Sequence, residues 1–190
     1  MPRHILILIL VLLLYDVPVY ALEIEGIEIA ETITSADSNT TLLLNGAGLR
    51  EKLYIDVYVG ALYLPAKTTD ARAILGGDGP GSVLMHILYK KISKQKMTDG
   101  WIDGLDANLS TDELQAIQPR LNAFNKLFTT THKGDVLSIT YTPEKGTEVH
   151  VNGEWRGAVE GNDFFRALLK IWLGPNPVDK SLKQDMLGSN

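Results

Sequence analysis

Cysteine is missing altogether from the 190 residues. That excludes disulfides, thiolate metal ligands, a cysteine nucleophile and a lipid-modified N-terminal cysteine. Positive charge is also scarce: 18 Lys and Arg against 23 Asp and Glu give a net charge of −5. Phosphate binding needs a basic face, so nucleic acid is excluded as a partner on charge. The four histidines, His4, His86, His132 and His150, never occur at ligand spacing, which argues against a histidine metal site. No internal repeat, long linker or low-complexity tract interrupts the chain. Its length therefore predicts one domain with a core large enough to fold without staples.

One long apolar run is present, and it stands at the start. Met1-Pro2-Arg3-His4 is short and positive, Ile5 to Leu14 is unbroken aliphatic, and Val19-Tyr20-Ala21 ends in a small residue. These are the three regions of a secretory signal peptide, with cleavage expected after Ala21. A membrane anchor is the competing reading, but a bilayer core needs about 20 apolar residues, and Asp16 and Pro18 follow directly. The expected organisation is a signal peptide over 1–21 and one domain over 22–190, with no stable anchor after cleavage. An exported protein without cysteine points to a bacterial periplasm, or to secretion, rather than to a disulfide-forming route.

The remaining pattern alternates between the two common periods. Leu22 to Ile33 sets Glu23, Glu25 and Glu28 against Ile24, Ile27 and Ile29, a half-buried strand with a break at Gly26. Ser35 to Asn39 reads as a turn and Thr40 to Leu44 as a strand, interrupted by Asn45-Gly46-Ala47-Gly48. Leu53 to Leu64 reads as a long central strand stopped by Pro65. Its Tyr54, Asp56, Tyr58 and Gly60 share one face; Leu53, Ile55, Val57 and Val59 share the other. A short helix is expected over Thr69 to Leu75 and a strand over Ser82 to Tyr89. From Ser93 the period lengthens, with Met97, Trp101 and Leu105 on one helix face. Ser110 and Glu113 form a capping box for the helix carrying Ile117, Leu121 and Phe124. Asp135 to Thr142, Thr147 to Val151 and Glu154 to Val159 form a meander whose last turn is Asn152-Gly153. Asn162-Asp163 is expected to cap a helix over Phe164 to Leu173, and Asp179 to Met186 a last one. The fold class is α+β.

No cofactor motif emerges. Asn45-Gly46-Ala47-Gly48 resembles half of a phosphate loop, but it precedes a strand rather than a helix N-terminus. Asp103, Asp106 and Asp112 lack calcium-loop spacing. Lys90 to Lys96 is a basic patch in an acidic chain, either a solvated helix entry or a contact for an anion or headgroup. Arg50, just after the glycines, stands near Tyr58 on an otherwise apolar surface. A guanidinium fork with a hydroxyl suits a carboxylate or phenolate; the ordinary alternative is an ion pair with Glu51 or Asp56.

Leu44-Asn45-Gly46-Ala47-Gly48-Leu49-Arg50 followed by Asp56 to Leu64 resembles the chalcone isomerase superfamily, most closely its exported bacterial chalcone isomerase-like branch. The hairpin at Asn152-Gly153 and the helix over Phe164 to Gly174 match in order and spacing. The resemblance implies an open-faced β-sandwich: a large antiparallel sheet covered by helices, with a ligand cleft between. The plant enzymes cyclise a chalcone by attack of a phenolate on an enone. Their steering arginine falls on Arg50 and their strand threonine on Tyr58. The catalytic tyrosine, an asparagine and a pocket threonine fall on Ile92, Asp99 and Ile171.

Those departures argue against isomerase activity. Ile92 and Ile171 cannot hydrogen-bond a substrate, each lost donor costing about 3 kcal/mol of transition-state stabilisation, and an ionised Asp99 repels a phenolate. Arg50 with Tyr58 instead resembles the family's non-catalytic fatty-acid-binding branch. The leading expectation is thus binding of a small amphipathic anion such as a fatty acid, by Arg50, Tyr58, Ile92, Asp99 and Ile171, without cofactor or metal. Two alternatives stand beside it. One is an isomerase or lyase using Asp99 as base with Arg50; the other is an accessory protein that docks an unidentified protein partner and holds no ligand.

Overall fold

The strand signals condense into one seven-stranded antiparallel sheet with helices on one face. The computed structural model describes residues 22–34 and 41–189; the expected export segment and the expected turn at Ser35 to Asn39 lie outside these residues. In chain order the strands begin with β1 (Leu22–Ile24), β2 (Ile27–Ile29), β3 (Thr32–Thr34), β4 (Thr41–Lys52) and β5 (Ile55–Leu64). Helix α1 (Ala71–Gly76), β6 (Gly81–Ile87), β7 (Lys91–Ile92), α2 (Lys94–Asp106) and α3 (Thr111–Lys126) follow. The chain ends with β8 (Thr131–His132), β9 (Val136–Thr142), β10 (Gly146–Val151), β11 (Glu154–Val159), α4 (Asn162–Leu173) and α5 (Lys180–Met186). The sheet order is β11-β10-β9-β6-β5-β4-β3, every pairing antiparallel.

The two faces of the sheet bury different things. Along β5, Tyr58, Leu62 and Leu64 join the large core beneath the helices. Val59, Ala61 and Tyr63 point the other way, into a smaller core closed by Ile24, Ile27 and Ile29 of the β1–β2 hairpin. This is the strand period of two at work. Helix α4 is strongly amphipathic: Asn162, Arg166 and Lys170 recur every fourth residue as a polar stripe, while Phe164, Phe165, Leu168, Leu169, Ile171, Trp172 and Leu173 are buried. Its broad apolar face turns to the core, and α1, α2 and α5 pack around it.

Four expectations are corrected. The Leu22 to Ile33 strand is a separate hairpin, turning at Glu25-Gly26, followed by edge strand β3. Asn45 to Gly48 does not interrupt its strand, since β4 runs through it with register shifts at Leu44/Gly46 and Arg50/Glu51. The glycines serve close approach instead: a Cβ on Gly46 would lie 2.1 Å from the Asp185 carbonyl oxygen, and one on Gly48 2.3 Å from Asp185 Oδ2. Helix α5 can lie on the sheet because those side chains are absent. Asn45 secures it by donating from Nδ2 to the Met186 carbonyl at 2.8 Å. The long strand starts at Ile55, because Leu53 and Tyr54 form a turn with φ of 52° and 64°. Finally, Gly161 rather than Asn162-Asp163 is the N-cap of α4. Asp163 is drawn into an ion pair with Arg120 at 2.6 Å, and Asn162 Oδ1 accepts from Arg166 Nε at 3.0 Å.

Candidate functional site

Where β4 and β5 run out toward their turn, the sheet and helix layer separate and leave a cleft of about 700 Å³. Sheet residues Arg50, Val57, Tyr58 and Met85 line one side, α2 residues Met97, Asp99 and Trp101 another, and Ile171 of α4 with Val178 a third. The five residues singled out from sequence, Arg50, Tyr58, Ile92, Asp99 and Ile171, all line it.

Strand register explains the pairing of Arg50 with Tyr58. The two are direct partners across β4 and β5, and cross-strand partners project to the same face. The Arg50 guanidinium lies over the Tyr58 ring, 5.3 Å from its centroid. Among the described residues it makes no ion pair with Glu51 or Asp56, and its Nε is buried without a hydrogen-bond partner. Tyr58 is 2% exposed, and its hydroxyl oxygen accepts from Trp172 Nε1 at 2.8 Å. Burial pushes its pKa above the ordinary 10.0, helped by the Asp179 charge and against the opposing pull of the Arg50 charge and of hydrogen bonding from Trp172 and from the Arg50 guanidinium. The hydroxyl therefore keeps its proton.

The facial assignment of the long strand holds from Tyr58 onward and fails before it. Val57 packs against the same core as Tyr58, and Ile55 and Val57 line the cleft with it. The Val57 carbonyl accepts from both Leu88 and Tyr89 N–H, and the β4–β5 register shifts between Arg50 and Glu51. Alternation is thus lost at the end of the strand.

The other expected residues differ in character. Ile92 and Ile171 offer hydrocarbon only. Asp99 is exposed, accepts from Gln95 Nε2 at 2.7 Å, and forms part of the rim. Trp101 was expected only as part of an apolar helix face, yet its buried Nε1 has no partner and the residue lines the cleft. A buried indole usually finds an acceptor for its N–H, and that requirement was the available signal. No group of His, Asp and Glu among the described residues could hold a metal ion. The cleft thus brings Val57, Met85, Met97, Ile92 and Ile171 together with charged Glu51, Lys52, Lys91, Lys96, Asp99 and Asp103. Two of its lining residues, Arg50 and Trp101, each carry a buried N–H without a partner. Such a mixed lining suits a ligand with a polar head and a hydrocarbon body.

A family model described as chalcone isomerase-like matches residues 21–188. The search of curated proteins found no match. Among solved structures, a fatty-acid binding protein of Arabidopsis thaliana is similar with a TM-score of 0.62 at 17% identity, over 83% of this chain and 96% of that one. The common fold is the large antiparallel sheet with helices on one face.

Proposed function

The chain belongs to the chalcone isomerase-like family, and on that premise we propose that it is a non-catalytic binding protein for a small amphipathic carboxylate, most simply a fatty acid. One observation carries the reading: Arg50, whose Nε is buried without a hydrogen-bond partner, lines a cleft beside its cross-strand partner Tyr58 and the apolar Met97, Ile92 and Ile171. An unsatisfied buried donor costs about 1–3 kcal/mol, and hydrogen bonds to a charged acceptor return about as much. A carboxylate on Arg50, with the Tyr58 hydroxyl as second donor, removes that cost and leaves the acyl chain among Met97, Ile92 and Ile171. The cleft's roughly 700 Å³ lies within the range of small-molecule sites. Open space beside Arg50 favours a ligand over an accessory protein with a filled cleft. The hydrocarbon at Ile92 and Ile171 supports binding over isomerisation. The Arabidopsis protein of the same fold is a fatty-acid binding protein, which agrees with this reading.

Residues 1–21 are part of the proposal as an export signal, on the strength of their charged, aliphatic and small-residue regions. Native mass spectrometry of the protein isolated from its own cells tests both parts. The expected spectrum shows a chain beginning at Leu22 with a fatty acid bound. Arg50→Ala should lower fatty-acid affinity about 10- to 100-fold in titrations followed by tryptophan fluorescence. A lipid-free protein whose measured affinity is unchanged in Arg50→Ala would sink the binding reading. Retention of residues 1–21 would sink the export reading.

A further inference from the structure

Among the described residues, three hairpin turns place both central residues at positive φ. Two use glycine second: Glu25-Gly26 at 52° and 74°, and Asn152-Gly153 at 53° and 79°. That is the economical choice, because a left-handed backbone crowds any Cβ. The third, between β4 and β5, is Leu53-Tyr54 at 52° and 64°. Non-glycine residues held there cost free energy, and such strain persists where something other than folding requires the side chains. Folding does not require these: Leu53 is 83% exposed, Tyr54 98% and the adjoining Ile55 47%. The strained turn thus presents apolar side chains to the outside.

Its surroundings identify what it meets. Leu53 and Ile55 lie at the cleft together with Tyr89, Lys52, Lys91 and Lys96. The Leu88 and Tyr89 N–H groups both donate to the Val57 carbonyl, which holds the start of the basic segment beside the hairpin. Lys90 to Lys96 contains four lysines and no acid in a chain of net charge −5. Lys90, Lys91 and Lys96 form no ion pair among the described residues. A protein partner would need an interface of about 800 Å² a side, which a projecting tip of three residues cannot supply. A bilayer needs only a few residues inserted, favours tyrosine at its interface, and rewards lysines beside anionic headgroups. Glu51, Asp99 and Asp103 line the same cleft and Asp56 is the cross-strand partner of Glu51, so the charge attraction is modest and the apolar tip must provide the rest.

We infer that the Leu53-Tyr54 hairpin tip and the adjacent lysines dock this protein on a bilayer surface bearing anionic headgroups, with the mouth of the cleft toward the lipid. This is surface binding; no helix of the described residues is long and apolar enough to cross a membrane. The inference goes beyond the binding function and stands whatever the cleft holds.

Co-sedimentation with phosphatidylcholine vesicles, with and without phosphatidylglycerol and free of fatty acid, tests it. The comparison is between the full chain and its Leu53→Asn/Tyr54→Gly variant, which installs the turn sequence the backbone prefers. Residues 1–21 are common to both, so the difference reports the tip. The variant should melt at or above the wild-type temperature and partition about tenfold less to the anionic vesicles. Replacing Lys90, Lys91 and Lys96 together with Gln should weaken binding about fivefold, the worth of one fully effective lysine once the neighbouring acids are discounted, and added salt should weaken wild-type binding likewise. Equal partitioning of wild type and a well-folded Asn-Gly variant overturns the inference. So does a wild type that ignores vesicles but self-associates through the same tip, seen as a concentration-dependent dimer in sedimentation that the variant loses.

Discussion

Tyr58 carries two hydrogen-bond roles on one oxygen. It accepts from the buried Trp172 Nε1 at 2.8 Å, which ties β5 to α4, and under the proposed function it also donates to the ligand. Tyr58→Phe separates these roles. Fatty-acid affinity should fall about tenfold, and stability by about 1–2 kcal/mol, because the Trp172 N–H is left buried without an acceptor. Calorimetric titration and a thermal melt read the two effects independently; unchanged affinity would remove Tyr58 from the site. Its pKa is raised by burial, so the hydroxyl remains a donor across the neutral range and into the alkaline. Binding should therefore be flat there and weaken only as the ligand's carboxyl group protonates, near pH 4–5 as for ordinary carboxylates, roughly. Arg50 and Tyr58 could be paired from sequence as residue types suited to an anion. That Arg50 Nε has no partner depends on strand register and on what surrounds it, which no residue type encodes.

Elements in this protein are joined by a few polar groups at their ends. Glu113 closes the capping box of α3, accepting from the Ser110 N–H at 2.7 Å. It also pairs across to Lys170 of α4 at 3.0 Å. The backbone hydrogen bond from Ser110, then that from Lys170, bring its pKa down from 4.5 to about 2. A carboxylate whose folded pKa is depressed stabilises the fold above its unfolded pKa and loses that contribution as pH falls through the folded one. Glu113 is well exposed, so after solvent screening the contribution is about 1 kcal/mol. Glu113→Gln should lower the melting temperature by about 2–4 °C at neutral pH, with the difference closing between pH 4.5 and about 2. A difference independent of pH would assign the effect to packing. The capping box, the α2 and α3 faces and the Asn152-Gly153 hairpin were legible because each is set by neighbours a few residues away. The role of Gly46 and Gly48 was not, since the residue that requires them, Asp185, is over 130 positions further along the chain.

At the scale of the whole molecule, β5 belongs to both cores. Leu62 and Leu64 lie under the helices, while Val59, Ala61 and Tyr63 lie under the β1–β2 hairpin. The smaller core cannot persist once β5 leaves the sheet, so the described residues should unfold as one cooperative unit. Denaturation followed by far-ultraviolet circular dichroism and by tryptophan fluorescence should give coincident curves; a separate early transition in either would show the cores to be independent. Sequence by itself determined the α+β class, the five helices, the strands β5, β6 and β9 to β11, the lack of cysteine chemistry, and the two residue types that suit an anion. Each of those follows from local periodicity, capping or composition. Tertiary structure decided that the glycine motif seats a helix rather than turning the chain, and that Trp101 brings an unpaired donor to the cleft. It also decided that Leu53 and Tyr54 stand out as a strained apolar tip rather than lying in a strand. Those outcomes depend on distances between residues far apart in the chain and on what does or does not fill the space between them, and packing alone sets both.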